Sequence, residues 1–230
     1  MKKNILSAFV LFILFSTQAA FAQFSRPISV GAGAGGTMSL ADLGNSDIRF
    51  AGHIEVEGLI TPFISVGLRG EKGMLSAWGW NSDFENRYHM INANAKVRLG
   101  QFLSLPDNYS YYALGASTFS KMLANLYVGA GVGAMKNNID NNIHPDYRTS
   151  VENMGGEISE DLTSYHFVVP LSIGMDIPIG RTLYGPRWAI NINYQQSLIP
   201  SDNIDGVINR NNDQYAYLSV GVKLALFNRN

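Results

Sequence analysis

Residues 188–195, Trp-Ala-Ile-Asn-Ile-Asn-Tyr-Gln, alternate between two kinds of side chain, and the same two-residue beat returns along most of the chain. A strand projects successive side chains to opposite faces, so this beat describes strands with one apolar and one polar face. In a soluble sandwich the apolar faces would meet in a core. Behind an export signal the same pattern favours a barrel with its apolar face turned to lipid. In hydrocarbon every backbone group must be bonded internally, and a closed sheet does this without leaving an edge.

Such a signal is expected over residues 1–22. Lys2 and Lys3 form a charged start, residues 5–15 are an apolar run of 11, and Ala20-Phe21-Ala22 supplies small residues before a cleavage point. A spanning helix needs roughly 20 apolar residues, so the run is too short for an anchor. Residues 23–230 then form one barrel domain. There is no cysteine, which excludes a cysteine-acylated lipoprotein and a disulfide-stapled domain. Loss of Lys2 and Lys3 leaves 15 basic against 18 acidic residues, a net charge of −3 that offers no basic footprint for nucleic acid.

Eight alternating segments can be read. The first, residues 28–38, sets Ile28, Val30, Ala32, Ala34 and Met38 against Ser29, Gly31, Gly33, Gly35 and Thr37. The second, 48–60, turns Ile48, Phe50, Ile54, Val56 and Ile60 outward and Arg49, His53, Glu55 and Glu57 inward. After a turn at Thr61-Pro62, the third opposes Ile64, Val66 and Leu68 to Ser65, Gly67, Arg69 and Glu71. The fourth sets Ile91, Ala93, Ala95, Val97 and Leu99 against Asn92, Asn94, Lys96 and Arg98. Segments 126–134, 165–179, 188–194 and 214–227 follow the same rule, with Tyr127, His166, Asp176, Tyr217 and Lys223 among the inward residues. An even count returns both chain ends to one side of the membrane.

The connections after segments one, three, five and seven are polar: 39–47, 72–86, 136–162 and 197–213. Those after two and six, at 61–63 and about 180–187, are shorter, as expected of periplasmic turns facing longer extracellular loops. Residues 100–124 are too long for such a turn. Their tyrosine-rich stretch 109–114 leaves ten strands as the alternative to an all-β, eight-stranded antiparallel barrel.

Eight strands enclose a bore just wide enough to be filled by side chains. The inward inventory of Arg49, His53, Glu55, Glu57, Arg69, Glu71, Lys96, Arg98, Asp176 and Lys223 is therefore expected to pair into a structural plug. The hairpin at Thr61-Pro62 sets Glu55 opposite Arg69 and His53 opposite Glu71. A gated polar channel is the competing reading.

Other motifs point to no further chemistry. Residues 31–36, Gly-Ala-Gly-Ala-Gly-Gly, match GxGxxG, but no helix follows as a dinucleotide site requires. Glycines 31, 33 and 35 instead leave room for lumen side chains. The Asn- and Asp-rich stretches 137–142 and 202–213 lack an EF-hand spacing and read as solvated loop. No metal or cofactor is expected. A lipid-modifying barrel enzyme needs Ser, His and an acid on an outward patch, whereas His166 lies on the inward parity, so no enzyme is expected.

Taken together, the signal, the eight segments, the glycine-rich first segment and the final run Tyr217-Leu-Ser-Val-Gly-Val-Lys-Leu-Ala-Leu-Phe227 resemble the small outer-membrane β-barrels of the OmpA/OmpX-like group, often labelled "porin family" or "outer membrane protein beta-barrel domain". The family's usual terminal aromatic is replaced here by an ending Phe227-Asn-Arg-Asn230. The resemblance implies the outer membrane of a diderm bacterium, contact with its lipid and its barrel assembly machinery, a monomer, and a structural or surface-interaction role. A ligand would meet loops 39–47, 72–86, 136–162 and 197–213.

Overall fold

The computed structural model describes residues 28–40, 45–79, 82–103, 118–143, 157–158, 163–179, 188–201, 207–208 and 213–226. The expected signal segment lies outside them. The strands are β1 (Ile28–Ser39), β2 (Asn45–Leu59), β3 (Ile64–Gly79), β4 (Ser82–Arg98), β5 (Leu126–Ile143), β6 (Glu157–Ile158), β7 (Thr163–Ile179), β8 (Trp188–Leu198), β9 (Val207–Ile208) and β10 (Gln214–Leu226). Eight of them close into an antiparallel barrel, β1-β10-β8-β7-β5-β4-β3-β2, while β6 and β9 form a separate two-stranded ribbon.

The register fixes the dimensions. Following paired residues from Leu226 through Ile28, Gly58, Val66, Ala95, Ala130, Leu171 and Gln196 returns to β10 at Ala216, ten residues from the start. That stagger over eight strands gives a tilt of about 40° and a radius of about 8 Å. The alternation sorts the faces as read from sequence. Ile54 is 68% exposed and its neighbour Glu55 only 5%. Ile192 and Asn193 divide in the same way, at 38% and 0%. Ile48, Phe50, Leu68, Ile91, Val132, Phe167, Ile173 and Leu218 continue the exposed apolar band. Water would disfavour such a surface, whereas lipid matches it.

Two expectations are corrected. Residues 99–103 and 118–125 add no barrel strand: they hold a 3₁₀ turn at Leu99–Phe102 and helix α1 (Thr118–Ala124), so the ten-strand alternative is wrong. The stretch 109–114 lies outside the described residues. Secondly, much of the polar sequence expected as loop is strand. β3 and β4 pair continuously from Ile64↔Val97 to Gly79↔Ser82, which reduces the 72–86 connection to residues 80–81. β5 likewise runs through 137–142 to Ile143, and β2 begins at Asn45. Beyond the bilayer a strand has no lipid to face, so it keeps its ladder while the strict apolar–polar alternation ends.

Glycines in β1 permit the close approach of lumen groups. A Cβ on Gly31 would lie 3.1 Å from Lys223 Cγ and 3.2 Å from Glu55 Cγ, and one on Gly33 would lie 2.6 Å from His53 Cε1.

Candidate functional site

The interior is layered. Strand tilt brings inward residues of β2, β4, β7 and β10 to one height in the periplasmic half, where Glu55, Glu57 and Asp176 meet Lys96, Arg98 and Lys223. Lys96 Nζ lies 3.0 Å from Glu55 Oε2 and 3.1 Å from Glu57 Oε2. Lys223 Nζ reaches Glu55 Oε1 at 2.8 Å, Glu57 Oε2 at 3.0 Å and Asp176 Oδ1 at 3.1 Å. Arg98 pairs with Glu57 and, at 3.2 Å, with Asp176, and donates to Ser65 Oγ at 3.0 Å. The six side chains carry equal numbers of each sign and are at most 4% exposed. Buried charges persist only when paired in this manner. Tyr127 lies beneath both ammonium groups, its ring centroid 5.2 Å from Lys96 Nζ and 5.6 Å from Lys223 Nζ, and its hydroxyl donates to Asn193 at 2.9 Å.

A second layer lies nearer the extracellular end. Arg69 Nε is 3.8 Å from Glu71 Oε2. Glu71 also accepts from Tyr88 at 2.6 Å, Gln195 at 3.1 Å and Tyr215 at 3.2 Å. Arg69 sits over the Tyr217 ring at 5.5 Å, and the Tyr217 hydroxyl is 2.9 Å from His53 Nδ1. Above and around this layer the lumen turns apolar. Ala51, Leu75, Ala77, Met90, Met135, Val168 and Ile199 pack with Tyr88, Tyr215 and Tyr217, all buried. At the rim, His166 bridges Ser164 (2.7 Å from Nε2) and Ser201 (2.5 Å from Nδ1).

Nine of the ten expected lumen residues are buried in these layers, four carboxylates facing four cations beside His53. The tenth, Arg49, is not. Its side chain is 42% exposed at the extracellular end, 3.4 Å from Asp47, with Nε donating to Ser76 at 2.6 Å. A register shift between Asp47 and Ala51 accompanies this displacement. The Cα register expected for the β2–β3 hairpin holds, with Glu55↔Arg69 and His53↔Glu71 paired. The side chains choose other partners: facing residues project in parallel, while the long lysines of β4 and β10 reach across the bore. The extracellular half of the lumen is mixed, the apolar cluster packing there beside buried Thr37, Asn86, Asn137 and Ser197. Leu75 belongs to the stretch 72–86 read as loop, and Tyr88 falls between that stretch and the residues assigned to the fourth segment, which concealed their inward parity.

A closed eight-stranded antiparallel barrel with an apolar outer face is the architecture of a small outer-membrane barrel protein. The comparisons bear this out. Residues 7–225 match the family described as Outer membrane protein beta-barrel domain, and the chain belongs to that family. Among solved structures it is similar to neisserial surface protein A, with 13% identity and a TM-score of 0.50 over 86% of this chain and 97% of that one. Weaker likenesses are to the attachment invasion locus protein Ail of Yersinia pestis (10%, 0.44, covering 87% and 100%) and OprG of Pseudomonas aeruginosa (9%, 0.42, covering 89% and 99%). No curated protein matches the sequence.

Proposed function

We propose that this outer-membrane protein is a sealed, non-catalytic barrel that works as a monomer through its extracellular end. The observation that supports the reading is the burial of the lumen side chains at successive heights. Arg98, Tyr127, Tyr88, Leu75, Met135, Val168, Ile199, Tyr215 and Tyr217 are all 1% exposed or less. A water column would leave such side chains wetted. Salt bridges alone could exchange partners and open a path; an apolar layer above them excludes water without needing charge. The segment 1–22 directs export and is removed, and the barrel assembly machinery inserts the remainder.

The working surface is then the extracellular rim. It carries the connections around 40–44, 80–81, 144–162 and 199–213. The ribbon of β6 and β9, with Glu157↔Ile208 and Ile158↔Val207, ties the two longest connections together. A ligand or partner surface meets this rim; the lumen is structural. Planar-bilayer recording of the refolded protein tests the proposal. Silence is the expected result, and steady, ion-selective openings would replace it with a narrow channel.

A further inference from the structure

The lipid-facing wall carries a feature that sealing the lumen does not use. β3, β4 and β5 continue beyond the apolar band, and their pairing aligns Lys72↔His89 and His89↔Lys136, all outward and exposed. Arg87 lies one outward position above His89. Lys72 stands eight residues above Ile64, and His89 eight above Val97 at the same periplasmic end. With the strand tilt this is about 20 Å, so the row sits where an apolar band of about 25 Å gives way to headgroups. Lys136 caps the neighbouring Tyr165 ring at 5.7 Å. Neither lysine has an acidic partner among the described residues, whereas Arg87 is paired with Glu85 at 2.9 Å.

Below and beside this row the wall is concave. A groove of about 780 Å³ opens between Phe50, Ile54 and Met74, floored by Gly52 and Gly70, and Lys72, Arg87 and His89 form its edge. A second groove of about 790 Å³ near the periplasmic end, lined by residues such as Val66, Leu68, Ala93 and Val132, has no charged side chain. Both concavities suit acyl chains, but only the outer one combines an apolar trough with cations at headgroup height. Charge selects what fills it. Two ammonium groups with no acidic partner among the described residues, beside a histidine, favour phosphate, and the trough favours a lipid over a free anion.

We infer that this wall is a binding site for a phosphate-bearing lipid of the outer leaflet, with an acyl chain in the trough and phosphate on Lys72 and Lys136. The two lysines are two interstrand spacings apart, about 10 Å, so a headgroup with two phosphates engages both. The inference is independent of whether the lumen conducts.

The test uses the full folded barrel in neutral detergent and native mass spectrometry. Three probes are titrated: bisphosphorylated lipid A, the same lipid with its phosphates removed, and inorganic pyrophosphate. Wild type is expected to retain one bisphosphorylated lipid. The variant K72S/K136S should bind it about thirtyfold more weakly, about fivefold for each lysine near an anionic headgroup. K72R/K136R should keep the affinity. Equal binding of the phosphorylated and dephosphorylated lipids overturns the inference, as does full retention by K72S/K136S. Pyrophosphate binding as tightly as the lipid would show an anion site and overturn the role of the trough. If K72S/K136S fails to fold, the three probes on wild type decide alone.

Discussion

Glu57 is the most connected carboxylate of the lower lumen layer, and replacing it with glutamine perturbs that layer most cleanly. Its oxygens meet Lys96 at 3.1 Å, Lys223 at 3.0 Å and Arg98, all within a site at most 4% exposed. Glutamine keeps the volume and removes the charge. Two carboxylates, Glu55 and Asp176, then face three cations, so one positive charge is buried uncompensated. Breaking a buried pair by removing one partner costs about 3–5 kcal/mol, and the contacts to three cations place Glu57→Gln toward the upper end. Adding Lys96→Met restores the balance, so the double variant should be more stable than Glu57→Gln alone, with a coupling of about 1–3 kcal/mol. Urea unfolding of the refolded barrel, read by the shift between folded and heated migration in gels, measures both. A single variant within about 0.5 kcal/mol of wild type would refute the reasoning, because that is the range of uninvolved surface positions. So would simple additivity in the double variant.

Gly33→Ala should destabilise the barrel by about 1–3 kcal/mol, since its Cβ would lie 2.6 Å from His53 Cε1 and 2.8 Å from the Gly221 backbone; the same unfolding assay checks it. Ile192→Arg, in the middle of the outward face of β8, should cost about 2–4 kcal/mol, whereas Gln196→Arg, four residues nearer the extracellular rim, should cost about 1 kcal/mol or less. Refolding yield into vesicles and unfolding midpoints compare the two, and equal costs would mean that the membrane boundaries on β8 are misplaced.

The sequence made the barrel legible because lipid and lumen impose opposite demands on successive residues. Ile54 and Glu55 had to part company in any closed sheet spanning hydrocarbon. The Thr61-Pro62 turn likewise set the Glu55↔Arg69 register, because a tight hairpin leaves little freedom in pairing. The alternation disappears where the demand does. Past Lys72 and Lys136 the outward face no longer has to be apolar, so the strict alternation lapses, and the same residues were read as loop although the ladder continues to Gly79↔Ser82. The choice of ionic partners was illegible for a different reason. It depends on which side chains reach one height across the bore, and that follows from the ten-residue stagger of the whole ring rather than from any one hairpin. Arg49 shows the limit of parity alone. Its position counts as inward, but the register shift beside Asp47 carries it out of the packed lumen to Ser76. The apolar layer was hidden because its members, Leu75, Tyr88, Met135, Val168 and Ile199, come from five different strands or strand ends, one residue at a time.

Solvent access to the lumen tests the sealed barrel most directly, and the absence of native cysteine makes it simple to measure. Ser219 is 1% exposed on the inward face of β10, its hydroxyl 3.4 Å from the Asn193 carbonyl. Ser219→Cys changes little volume and puts a single thiol on the lumen wall between Lys223 of the charged layer and Tyr217 above it. A membrane-impermeant, water-soluble maleimide should leave that thiol unlabelled in the folded barrel and label it fully in urea. Labelling of the folded protein at a rate comparable to the unfolded one would mean that water and solute reach the middle of the bore, and the account of a sealed lumen would be wrong.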